Sequence, residues 1–293
     1  MGAMVPIATS GEVTIPCPED GRYSYNSPYP AHHLMTGVDI YPNTLSSTAA
    51  PSPVTGEILQ VRRVKAPQSH EFDAPKHDTM TIIRSTQAQG RVVKILHVDT
   101  EVEEGETIHV GQALGPMIRS GCFGYQTPLH AHIEVRPQED PIRVRGRYPI
   151  DSTIDLETLE ITEELTGTVT ATRRGYAQIK LHHGTPWVTA DIGGTPGIID
   201  GGIPIYGWFG AHTKTSTIGA PLKLLGKRID TVTNARPREC VADCTEFEAR
   251  LGSIPVNLFF LLLPERQSVI ISTSKKRGEL EVKEQADVFL TIS

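Results

Sequence analysis

Two histidines flank one alanine in His130-Ala-His132, and the run continues Ile-Glu134-Val135. Residues two apart on a strand share a face, so His130, His132 and Glu134 point one way and Ala131, Ile133 and Val135 the other. Two imidazoles about 7 Å apart suit a site in which one binds a metal ion and its neighbour moves protons. The same pair also suits a solvated strand face without chemistry. His32-His33, Asp39 and His97 are the other candidates in the first half of the chain. Taken by itself, His97 reads as a core-edge histidine with a satisfied hydrogen bond.

The elements that must position these groups read as short strands. Gly56 to Val61, Met80 to Arg84, Arg91 to Val98 and His130 to Val135 carry strand patterns. Arg91 to Val98 is apolar on both faces, as a central strand would be. Between the last two, Val102 to Gly115 places two glycine-centred turns around a very short strand.

The chain has 293 residues, enough for two domains with buried cores. Its 26 glycines and 22 prolines, with few aromatics, favour a mainly β protein rich in turns. The stretch Tyr148 to Leu165 is acidic and lacks glycine, which sets the domain boundary there. An N-terminal domain over residues 5–150 and a β-rich α+β domain over 165–293 follow. The second domain shows strand patterns at Thr168 to Thr172, Tyr176 to Leu181, Val256 to Leu263, Ser268 to Ser272 and Asp287 to Ile292. Gly193 to Gly197 and Asp200 to Gly202 read as turns, and Arg238 to Leu251, stopped by Gly252, reads as a helix. Cys240, Cys244, Phe247 and Leu251 would share one face of that helix, as core.

A formal charge of -6 without a long Lys/Arg run gives no reason to expect nucleic acid or an anionic membrane as partner. Cys17, Cys122, Cys240 and Cys244 are too irregularly spaced to read as a disulfide framework. The longest apolar run, Leu258 to Leu263, falls far short of the ~20 residues of a membrane span. Met1 to Ser10 lacks the basic and apolar regions of a secretory leader, so the expectation is a soluble cytoplasmic protein. His182-His183 with Asp191 offers a second metal-binding pattern, but reads better as the end of a strand at a Gly-Thr-Pro turn. Nothing in the sequence specifies an oligomeric state.

The order of the pieces carries more than any one of them. Thr36-Gly-Val-Asp-Ile40, Pro53-Val-Thr-Gly-Glu-Ile58, Ile95-Leu-His-Val98, Val102 to Gly115 and His130-Ala-His-Ile-Glu-Val135 follow one another between Tyr23 and Pro137. This series resembles the lysostaphin-type (LytM-like) zinc metallopeptidases, which show His-x-Gly-x-Asp, a glycine-containing strand, a Tyr-x-His-Leu-like strand, a glycine hairpin and His-Leu-His-Phe-Glu. The resemblance implies the duplicated hybrid motif, a β barrel-sandwich, and a zinc-dependent hydrolase of peptide or amide bonds. It also implies Asp39 and His132 as zinc ligands, with His97 and His130 assisting the attacking water. The alternative is a catalytically inactive intracellular binding or scaffold protein that keeps the peptidase fold.

One position departs from that pattern. The family's first ligand stands four residues before the aspartate, where this chain has Met35. A thioether is a weak partner for zinc, which prefers imidazole, thiolate or carboxylate. His33, six residues before Asp39, is the first substitute, and His32 the second. A fully extended chain would hold His33 near 20 Å from Asp39, so either substitution requires a bend before Gly37. Ile95 to Thr100 also resembles the phosphorylated-histidine segment of the glucose-permease carrier, but Thr79 to Ser85 lacks the second histidine of that site.

Overall fold

The computed structural model describes residues 2–27, 29–43, 48–70, 72–124, 127–143, 147–173, 176–182, 186–244, 247–265, 267–274, 280 and 282–292. The chain divides into two units, residues 1–23 with 29–153, and residues 24–28 with 154–293. Both are built from strands, and the one helix among the described residues is the single turn Pro30–His33. The protein is therefore mainly β. No helix among the described residues is long and apolar enough to cross a membrane.

In the first unit, Val38–Tyr41, Ala131–Pro137, Arg91–Leu96, His77–Ser85, Gly56–Lys65 and Thr107–Ile108 pair in that order, each antiparallel to the next. Ile133 stands opposite Val38 and Ile95, and Val135 opposite Val93. These residues are all buried and form one apolar face of the sheet. Their neighbours point the other way: His132 is opposite Asp39 and Leu96, Glu134 opposite Lys94, and Arg136 opposite Val92. Apart from half-buried Leu96 these residues are also buried, so the second face holds a polar cluster within the protein. A slip of one residue would exchange Ile133 for Glu134 on the apolar face. With each buried Ile or Val contributing about 1.5–3 kcal/mol, the apolar face holds the register. The register in turn sets Asp39 beside His132.

The strand expected as far as Val98 ends at Leu96, because His97 takes a left-handed φ of 68° and leaves the ladder. Two smaller antiparallel sheets complete the unit, Ala49–Pro51 with Ala113–Pro116, and Met4–Ser10 with Val13–Pro18 and Asp151–Ser152.

The second unit contains two closed rings of antiparallel strands. Leu165–Arg173, Tyr176–Leu181, Gln267–Ser274, Ile254–Leu263, Ala249–Leu251 and Asp287–Ile292 pair in sequence, and the last returns to the first. Thr189–Ile192, Thr195–Ile203, Trp208–Thr213, Glu239–Asp243, Lys227–Arg236 and Pro221–Leu224 close in the same way. Closure leaves no lateral edge to be covered. Leu165, Ile179, Ile199, Phe209, Leu258 and Phe260 are among the residues of one shared apolar core.

Two expectations for this unit fail. The helix expected over Arg238 to Leu251 is replaced by the strands Glu239–Asp243 and Ala249–Leu251, and no helix among the described residues supports an α+β class here. Glu239–Asp243 is paired on both sides and buried on both faces, so Cys240, Val241 and Ala242 show no two-residue alternation. The strand is entered through a turn in which Arg238 takes φ 73°. Asp200-Gly-Gly202, expected as a turn, lies inside the strand Thr195–Ile203. Its glycines serve close approach: a Cβ at Gly201 would lie 2.9 Å from that of Asn26.

Candidate metal centre

The first candidate ligand comes from the helical turn Pro30–His33. Met35 N–H reaches His32 O at 2.8 Å and Thr36 N–H reaches Ala31 O at 2.8 Å. This is the Schellman closure of a helix end, with Met35 at the left-handed position and φ 55°. The closure supplies the bend before Gly37. Successive side chains on a helical turn differ by about 100° in direction. His32 is therefore fully buried while its neighbour His33 is only half-buried.

Asp39 and His132 are supplied by cross-strand pairing. His32 Nε2 lies 3.1 Å from Asp39 Oδ1 and 3.0 Å from His132 Nδ1, and His132 Nδ1 lies 2.8 Å from Asp39 Oδ1. These three donor atoms form a compact triangle and could hold a metal ion. Tetrahedral zinc with bonds of 2.0–2.1 Å has ligand atoms about 3.3 Å apart, close to the spacing here. His33, the first expected substitute, is not in this group, which takes the second, His32, with Asp39 and His132 as residues that could hold a metal ion.

Gly37 makes room for this arrangement. A Cβ there would fall 2.8 Å from His132 Cε1, and the 3.1 Å approach to the Ala31 Cβ blocks the other side.

His130 lies on the rim of the triangle. A carbonyl only accepts, so His130 Nδ1 must donate its proton to Pro128 O, 3.0 Å away. In the neutral ring, Nε2 then carries a lone pair. It faces Asp39 Oδ2 at 3.6 Å, and both atoms are buried without a hydrogen-bond partner. Two acceptors facing each other in a buried site need a cation or a donor between or beside them. Phe123 stacks on His130 with ring centroids 4.3 Å apart. The ring of His97 is 5.4 Å from that of His130 and 6.3 Å from that of His132. The structure thus brings Asp39, His97, His130 and His132 into one buried cluster.

The charges around the cluster are organised by Glu134. Its Oε1 is 3.3 Å from His132 Nε2, while Oε2 is 2.9 Å from Arg136 Nη1 and 3.6 Å from Lys94 Nζ. Arg147 adds a third cation at 3.8 Å from Oε1. Burial pushes Glu134 up, but His132, Lys94 and Arg136 outweigh it and hold the carboxyl at about 2. Burial also disfavours a charged His132, yet Asp39 and Glu134 raise it to about 9 in the metal-free protein. Burial drives His130 down to about 4 despite Asp39, which keeps it neutral at pH 7. Asp39 is pushed up by burial but is held well below the usual carboxylate range by His32, His130 and His132. Accepting from His132 Nε2–H, Glu134 frees Nδ1 for a metal, as a carboxylate behind a metal-bound histidine does.

Sequence reasoning missed Asp78 and the cations around Glu134. Lys94 had a visible signal, a charge inside the apolar run Val93-Lys-Ile95. Asp78 had none, lying at the start of a strand after a polar loop. A second donor group, Asp78, His97 and Cys122, also comes together. The pattern of His182 and Asp191 does not: His182 lies by Thr168 and Asp287, while Asp191 Oδ1 accepts from Gly194 N–H at 2.6 Å. His183 falls outside the described residues. All four cysteines are free.

No curated protein matches this chain, and no solved structure does. Residues 17–152, which carry every group of the cluster, are similar to a family described as "Domain of unknown function (DUF8155) N-terminal domain".

Proposed function

We propose that the first unit is a zinc-dependent hydrolase of peptide or amide bonds. The observation that carries this reading is the pair of buried acceptors, Asp39 Oδ2 and His130 Nε2, beside the triangle of His32, Asp39 and His132. Two imidazoles and one carboxylate suit zinc better than calcium or magnesium, which take oxygen ligands. Zinc bound by these three residues would supply a Lewis acid for a carbonyl and bring the pKa of a water towards ~7.

The chain's own residues have distinct tasks. Glu134 holds the His132 ring so that Nδ1 faces Asp39. His130, fixed by Pro128 O and neutral at pH 7, offers Nε2 as a proton acceptor. Phe123, stacked on His130 and packed edge-on against His97, excludes water from that side. The choice of peptide or amide rests on the resemblance in motif order to the lysostaphin-type enzymes.

Metal analysis of protein purified without added metal, followed by assay on casein and a mixed peptide library, tests the reading. One zinc per chain is expected, with cleavage abolished by chelator and restored by zinc. Failure to take up zinc at micromolar concentration overturns the metal centre. Zinc bound without cleavage of any peptide points to the non-catalytic binding module.

A further inference from the structure

Asp78 grips His97 in two places. Its Oδ1 accepts the His97 backbone N–H at 3.0 Å, and its Oδ2 lies 2.5 Å from His97 Nδ1. The same carboxylate accepts Thr79 N–H at 2.7 Å and a hydrogen bond from the Ser120 side chain. The backbone contact spans the residue whose φ of 68° lies in the left-handed region, which side chains other than glycine seldom adopt. One buried carboxylate therefore fixes both the turn that ends the strand and the ring that the turn presents.

A carboxylate only accepts, so the ring nitrogen it meets must carry the proton. In neutral His97, Nδ1 is then N–H and Nε2 holds the lone pair. Phe123 packs edge-on against this ring at 4.8 Å, adding a second restraint on its orientation.

We propose that Asp78 is a positioning residue that holds His97 in the Nδ1–H tautomer, with Nε2 kept as a proton acceptor beside the His32, Asp39 and His132 group. The role rests on the zinc hydrolase reading; the tautomer itself does not. Asp78, His97 and Cys122 also form a donor group that could take an ion. Both oxygens of Asp78 are already engaged, however, by the two contacts to His97 and those from Thr79 and Ser120. A second ion would have to displace them.

The test is long-range 1H–15N NMR of histidine-labelled protein at pH 8, with His97 assigned by its loss in His97→Gln, alongside zinc analysis. The wild type should show His97 protonated at Nδ1 and bare at Nε2. In Asp78→Asn the amide oxygen can keep the backbone contacts while its NH2 donates to the ring. The proton should then move to Nε2, with the zinc content unchanged. Asp78→Glu, which keeps an acceptor, should keep Nδ1 protonated. A wild-type ring with a proton on Nε2 overturns the proposal without any variant, so misfolding of Asp78→Asn cannot shelter it. An unchanged tautomer in folded Asp78→Asn also overturns it. So do two zinc ions per chain that fall to one in Asp78→Asn or Cys122→Ser. A zinc-free wild type with the expected tautomer and its reversal counts against the hydrolase reading alone and upholds the Asp78–His97 coupling.

Discussion

His32 Nε2 lies 3.0 Å from His132 Nδ1, although a hundred residues separate them in the chain. Both atoms also approach the same oxygen of Asp39, at 3.1 Å and 2.8 Å. Two imidazole nitrogens and a carboxylate oxygen at such spacing share either protons or an ion, and the ion satisfies all three at once.

His32 and His33 are adjacent, yet replacing them should have opposite consequences. His32→Ala is expected to weaken zinc binding by more than the roughly 100-fold that loss of an outer-shell partner can cost. His33→Ala should leave it within a few-fold of wild type. Competition against a chromogenic chelator measures both, and equal effects would place the ligand wrongly.

Gly37→Ala should act on the metal site from behind. The new methyl group would meet His132 Cε1 at 2.8 Å, so the ring or the strand has to shift. A 1 Å misplacement of a ligating ring is expected to lower zinc affinity at least tenfold, with a smaller effect on the urea midpoint of the metal-free protein. Unchanged affinity would show that the His132 ring has room the structure does not indicate.

Glu134 should matter in two separable ways. Glu134→Gln keeps a hydrogen-bond acceptor for His132 but loses the charge, and should cost about 10–100-fold in zinc affinity. Glu134→Ala also removes the carboxylate that buried Arg136 and Lys94 both face. Its expected cost is about 3–5 kcal/mol of stability, read from urea unfolding of the metal-free protein.

Zinc affinity should depend on pH with a sign set by His132. Asp39 and Glu134 raise His132 to about 9 against the opposing effect of burial. An ion bound through Nδ1 must therefore displace a proton at neutral pH. Affinity should keep rising from pH 6 towards about 9, with proton release on binding seen in weakly buffered solution. A flat profile across that range would mean that His132 is not a ligand.

The cysteines provide a check on the second unit. Burial pushes Cys240 and Cys244 up to about 12. Neither should react with Ellman's reagent in the folded protein at pH 8, and both should react in denaturant. Rapid labelling of Cys240 in the native state would contradict its place in a strand paired on both sides.

The sequence by itself determined the β character of the chain and the strand that carries His132, whereas the strand Val38–Tyr41 that carries Asp39 emerged only in the structure. Alternation in Ala131 to Val135 and the run Val92 to Ile95, apolar except for Lys94, follow from which side of a sheet is buried, and such patterns are local. The same local logic misread Cys240 to Leu251, because a strand buried on both faces loses its two-residue period. Only the tertiary structure decided between His32 and His33. That choice depends on a helical turn closed at Met35, whose carbonyl is held by Ile150 N–H at 3.2 Å from far along the chain. Only the tertiary structure brought Asp78 to His97, since a hydrogen bond across neighbouring strands leaves no trace in the spacing of either one.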